Sequence, residues 1–74
     1  MNKKTVRIRG FSDRLNRAIW SSNLDTREIE RRANVTHSCM WSYRERGVIP
    51  KCDVLVRLAL TLHVSTDYLL GIER

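Results

Sequence analysis

The chain has 74 residues, 14 Lys plus Arg against 8 Asp plus Glu, and a formal net charge of +6. One small domain is expected, and the 42% hydrophobic and 30% charged content is that of a soluble globular fold. No stretch approaches the ~20 apolar residues of a membrane span, Lys3 and Lys4 are not followed by the apolar run of a secretion signal, and a core this small supplies only about 3–5 kcal/mol, which leaves little room for a catalytic cleft.

Residues 1–10 read as a basic arm, in which Val6 and Ile8 alternate with Arg7 and Arg9 as in a short strand or extended segment. Gly10 ends it. Ser12 is then placed to cap a first helix, with Asp13 in its first turn. Phe11, Leu15, Ala18, Ile19 and Ser22 share a face, so this helix runs to about Ser22. Trp20 is expected partly buried beside that face. Asp25 followed by Glu28 is a capping-box pattern that starts a second helix at Thr26. Ile29 and Ala33 form its apolar face, and it stops near Asn34, a residue tolerant of the left-handed conformation. Val35 plugs the turn, and Thr36 caps a third helix from His37 to about Arg46. Gly47 and Pro50 bracket the next loop. A fourth helix follows, with Asp53 in its first turn and Val54, Leu55, Leu58, Ala59 and Leu62 on one stripe. Ser65 caps a last helix, Thr66 to Leu70, which Gly71 stops. The expected fold is all-α, a single domain over residues 11–74 behind the arm, with no internal repeat.

The charge is uneven. Residues 1–46 carry eleven Lys and Arg against five Asp and Glu, whereas residues 47–74 carry three of each. Eleven of the 14 cations are Arg, whose planar fork matches phosphate oxygens and guanine edges. This asymmetry suggests a polyanionic partner; a solvated basic surface is the plainer alternative. At about 100° per residue, Cys39, Met40 and Tyr43 fall on the inward side of the third helix, and Cys39 reads as a small buried residue. His37, Ser38, Trp41, Ser42 and Glu45 fall on the outward side. That outward face is short and mostly polar, as a helix entering a major groove requires. The helix starts at Thr26 and His37 offer backbone N–H groups to phosphates.

These residues resemble the lambda-repressor/Cro-like (XRE-type) helix-turn-helix domains. The resemblance spans about Phe11 to Gly71 and rests on Phe11-x3-Leu15, on Leu24, and on Ile29-x3-Ala33-Asn34-Val35-Thr36 across the turn. It continues through Met40, Tyr43, Pro50, Leu58-Ala59-x2-Leu62 and the ending His63-Val64-Ser65-Thr66-Asp67-Tyr68-Leu69-Leu70-Gly71. It implies a compact five-helix bundle and a sequence-specific double-stranded-DNA-binding transcriptional regulator, a repressor of bacterial or phage type. By this resemblance the base readers are His37, Ser38 and Ser42, with Trp41 beside them. Phosphate contacts come from Thr26 and Arg27, Arg14 or Arg17, Thr36, Arg46 and Lys51. The chain departs from the family pattern at four places. Glu30 stands where a small Ala is usual, and Asn34 replaces a Gly. Ile19 and Arg44 occupy the positions of a usual Arg–Glu pair, and losing both partners orphans no buried charge. Glu45 and Gly47 come one place late, so a third helix longer by one residue is expected.

Trp41 suits a thymine methyl, a protein partner or a place folded back on the surface, and His37 suits a base, a phosphate or plain exposure. The arm could enter a minor groove or remain a solvated tail. His37, Cys39, Cys52 and His63 fit no zinc spacing, and two cysteines are too few for a disulfide scaffold, so free thiols in a reducing cytoplasm are expected. No nucleophile elbow or Gly-rich phosphate loop is recognisable. We therefore expect no enzyme, cofactor, metal or small-molecule ligand, and no ligand-sensing domain beyond Gly71. Double-stranded DNA is the expected partner, bound in the cytoplasm at the nucleoid, with a homodimer through Leu70 and Ile72 bringing two copies onto neighbouring half-sites. The alternative is a protein-interaction module that keeps the fold without reading DNA.

Overall fold

A computed structural model of the chain describes residues 8–72. Val6, Arg7 and most of the basic arm lie outside the described residues; Ile8 and Arg9 have no regular secondary structure. Five helical segments follow: α1 (Phe11–Ser22), α2 (Thr26–Ala33), α3 (His37–Trp41, continued by a π-helical turn over Ser42–Arg46), α4 (Cys52–Leu62) and α5 (Thr66–Leu70). Among the described residues there is no strand, and no helix is long and apolar enough to cross a membrane.

The apolar stripes meet in one core. Phe11, Leu15, Ala18 and Ile19 of α1, Leu55, Leu58, Ala59 and Leu62 of α4, and Ile29, Ala33, Met40, Tyr43 and Leu69 form a single buried cluster. Leu15, Ile29, Met40, Leu58 and Leu69 are the largest fully buried side chains, each stabilising the fold by about 1.5–3 kcal/mol through loss of apolar surface to water. Among the described residues no charged side chain is buried. The helices of the turn are eight and five residues long, too short to persist alone, so Ile29, Ala33, Met40 and Tyr43 hold them in place.

Local capping follows the sequence at three helix starts. The Glu28 N–H donates to Asp25 Oδ1 at 2.9 Å, the Cys39 N–H to Thr36 Oγ1 at 3.1 Å, and the Tyr68 N–H to Ser65 Oγ at 2.9 Å. The capping box is only half made, because the Glu28 carboxylate turns to Arg31 and Arg32. The first helix start differs from expectation. Gly10, at φ 76°, is its cap residue, and the Ser12 hydroxyl instead donates to the Tyr43 carbonyl at 3.0 Å. A carbonyl 31 residues away satisfies that hydroxyl better than its own helix does.

Side chains of α1 and α4 satisfy carbonyls at the C-terminal ends of other helices, which otherwise lack intrahelical partners. Arg57 Nε donates to the Ala33 carbonyl at 2.8 Å, and Arg14 Nε to the Leu69 carbonyl at 2.9 Å. The Arg14 guanidinium lies flat against Gly71, where a Cβ would come within 2.5 Å of its Cζ. Gly71 is therefore favoured by its φ of 78°, while a side chain there would also displace the Arg14 guanidinium.

Two expected burials are corrected. Trp20 is 87% exposed, because it lies one residue, about 100°, beyond the stripe that ends at Ile19. Cys39 is exposed, because the buried stripe of α3 is only as wide as Met40 and Tyr43 and leaves Cys39 at its edge. Both cysteines are free thiols.

Candidate nucleic-acid interface

The second helix closes at Asn34, whose φ of 56° and ψ of 55° are left-handed. The Val35 N–H then donates back to the Glu30 carbonyl at 2.9 Å, a Schellman-type closure with its apolar residue in place. Thr36 turns the chain into α3. The turn needs three residues, all foreseen, and it leaves His37, Ser38 and Trp41 exposed while Met40 is buried.

The expected site residues divide around α3. On one side Arg27, Glu30, Arg31 and His37 line a shallow depression beside the turn. On the other, Ser38, Cys39, Ser42 and Lys51 line a groove together with Val48, Ile49 and Pro50. Trp41 is 52% exposed, Ser42 is half-buried, and Arg46 and Lys51 are exposed. Arg27, Arg46 and Lys51 enter no ion pair among the described residues. Three positions have other engagements. Arg14 is held at the end of α5, with its guanidinium also bonded to the Arg9 carbonyl. Arg17 is exposed, but its neighbours are Trp20, Ser21 and Tyr68 rather than the turn. The Thr26 hydroxyl accepts from Arg44 at 3.3 Å, which leaves its own hydroxyl hydrogen free to donate.

Two residues carry more of this surface than their sequence patterns suggested. Arg44 Nε donates to Asn16 Oδ1 at 2.6 Å, and Asn16 Nδ2 donates to the Arg44 carbonyl at 3.3 Å. With Thr26, this clasp ties α1, α2 and the end of the third helix together where an Arg–Glu pair was missing; Ile19 has joined the core. Glu30 has a side chain only 12% exposed, and its Oε2 lies 3.0 Å from His37 Nδ1. No spacing rule flags either contact, since Asn16 and Arg44 are 28 residues apart and Glu30 and His37 seven, across a turn.

The extra residue is absorbed by widening rather than lengthening. The third helix still ends at Arg46, but Ser42–Arg46 is wound as a π-helix capped by Gly47, whose N–H donates to the Ser42 carbonyl. Such a turn takes one more residue than an α-turn. It keeps Tyr43 in the core while Ser12 and Asn16 bond the carbonyls of Tyr43 and Arg44. Burial pushes the Tyr43 phenol above its ordinary value, with the neighbouring Cys39 adding to the shift.

Comparison of the chain with protein-family models, curated proteins and solved structures finds no match.

Proposed function

We propose that this chain is a sequence-specific double-stranded-DNA-binding transcriptional regulator, a repressor of the lambda-repressor/Cro-like type, acting in the cytoplasm. The third helix enters the major groove. His37, Ser38, Trp41 and Ser42 face base edges; Thr26, Arg27, Thr36, Arg46 and Lys51 face phosphates. The observation that carries this reading is the turn itself. A left-handed Asn34 and a Thr36 cap set a short helix on the surface with small polar side chains outward, flanked by Arg27, Arg46 and Lys51, which enter no ion pair among the described residues. Phosphate contacts position such a module, and base contacts select the sequence. One copy makes few base contacts, so two copies on half-sites about 34–36 Å apart would supply the affinity. Ile72, 54% exposed, and the half-buried Leu70 are the proposed dimer contact.

The test is an amide NMR titration of the labelled chain with a generic duplex at low salt. Shifts clustered at residues 26–27, 36–42 and 46–51 support the reading; shifts confined to residues 3–9 overturn it. Arg27→Ala should lower the slope of log affinity against log salt by about one unit, whereas Ser42→Ala should relax base preference and leave the slope intact. The second reading, a protein-docking module, is favoured by the exposure of Trp41 and Trp20. It predicts binding that survives salt, whereas about six phosphate contacts would lose roughly a thousandfold between 50 and 200 mM.

A further inference from the structure

We propose that Glu30 is a positioning residue that fixes the tautomer of His37, so that His37 offers a hydrogen-bond acceptor to the exocyclic amino group of adenine or cytosine. This rests on the nucleic-acid reading above and names the base chemistry that one position would select.

Glu30 is largely withdrawn from water, its side chain 12% exposed against 81% for His37. A carboxylate so placed requires a partner. Arg27 and Arg31 share the depression with it, but the Arg31 guanidinium is bonded to Glu28. Among the described residues the partner of Glu30 is His37, with Nδ1 3.0 Å from Oε2. Carboxylate oxygens only accept, so the hydrogen between them sits on Nδ1. A neutral imidazole carries one N–H, which leaves Nε2 bare. The hydrogen bond made by one ring nitrogen sets the role of the other. Nε2 is on the far side of an exposed ring and has no partner among the described residues. It is therefore an acceptor presented by the first residue of the third helix.

In the major groove, adenine N6 and cytosine N4 are donors, whereas guanine offers O6 and N7, both acceptors, and thymine offers O4. Nε2 in this tautomer matches adenine or cytosine and opposes guanine. Without Glu30 the ring is released to carry its hydrogen on Nε2, the form an unrestrained imidazole favours in water, and the match reverses toward guanine or thymine.

Two measurements test this at about pH 8.5, above the range in which an ordinary histidine changes charge. The first is long-range nitrogen–proton correlation of the His37 ring in the free chain. Wild type should show a protonated Nδ1 and a bare Nε2. Glu30→Ala, which removes the acceptor, and Glu30→Gln, which keeps its shape and weakens it, should both move the hydrogen toward Nε2. A wild-type ring with its hydrogen on Nε2 overturns the proposal, as does a tautomer unchanged in both variants. The second is selection from a randomised duplex library. Wild type should prefer adenine or cytosine at one base pair by about tenfold, a discrimination of about 1.4 kcal/mol. His37→Ala should lose that preference, and the Glu30 variants should shift it toward guanine or thymine. Unchanged base choice in His37→Ala, or in both folded Glu30 variants, overturns the base assignment. A wild-type chain that enriches no sequence overturns the nucleic-acid reading and the base assignment together, while the ring measurement still decides whether Glu30 positions His37.

Discussion

Asn34-Val35-Thr36 and His63-Val64-Ser65 join their helices by the same geometry. Asn34 and His63 are both left-handed, at φ 56° and 58°. Val35 and Val64 donate back to the Glu30 and Ala59 carbonyls at 2.9 and 3.1 Å. Thr36 and Ser65 cap the helix that follows, and four residues past each cap stands a fully buried side chain, Met40 or Leu69. Yet the surfaces differ. After Thr36 come exposed His37, Ser38 and Cys39, with basic α2 beside them. After Ser65 come Asp67, half-buried Tyr68 and half-buried Leu70, beside the largely apolar α4. The same turn chemistry thus builds one open polar face and one that packs against α1. Local geometry sets where a helix starts, and the side chains that follow decide what it can touch.

Paired substitutions probe how deep the likeness runs. Met40→Ala and Leu69→Ala should be the most damaging, about 2–5 kcal/mol each from lost burial and the cavity left behind. Equal falls in the denaturation midpoint would make the two turns equivalent anchors. A much smaller loss for Met40→Ala would mean the exposed unit is loosely held. Next is Arg44→Ala, which has no counterpart at the second turn. It removes the guanidinium bonds to Asn16 Oδ1 and Thr26 Oγ1 and should cost about 1.5 kcal/mol, the low end for hydrogen bonds to a charged group. Adding Asn16→Ala should then cost about a further 0.5–1.5 kcal/mol, because Asn16 Nδ2 still donates to the carbonyl of position 44 after the first substitution. The cap substitutions Thr36→Ala and Ser65→Ala should each cost about 1 kcal/mol, and a clear inequality between them would break the comparison at its start.

The smallest effect is acid sensitivity. Arg32 first and Arg31 second hold the Glu28 carboxyl below its ordinary 4.5. Arg57, then the Val54 N–H, hold Asp53 below its ordinary 3.8. Both values are depressed by folding, so their contribution is present above the ordinary values and is lost as pH falls through the folded ones. Denaturation curves should therefore weaken below about pH 4.5, and Glu28→Gln should flatten that loss slightly, since exposed pairs contribute little.

Much of the site was legible because its determinants are local. Asp25, Thr36 and Ser65 each reach a backbone N–H three residues on, and Asn34 and Gly71 each meet a backbone requirement of their own residue. The outward set His37, Ser38 and Trp41 follows from helical period alone. What failed depended on distant partners or on stripe width. Ser12 left its own helix for Tyr43, and Trp20 and Cys39 fell just outside faces whose breadth only packing defines.

The sequence by itself determined the helices, the caps at Asp25, Thr36 and Ser65, the turn at Asn34 and the concentration of positive charge in residues 1–46. Each of these is fixed by residue type within a few positions along the chain. Only the tertiary structure decided how the polar side chains were engaged. The Arg44 clasp, the wide turn at Ser42–Arg46 and the Glu30–His37 contact arise between helices. Burial at those junctions makes an unpartnered carboxylate or carbonyl costly, and the side chain that answers it comes from another helix.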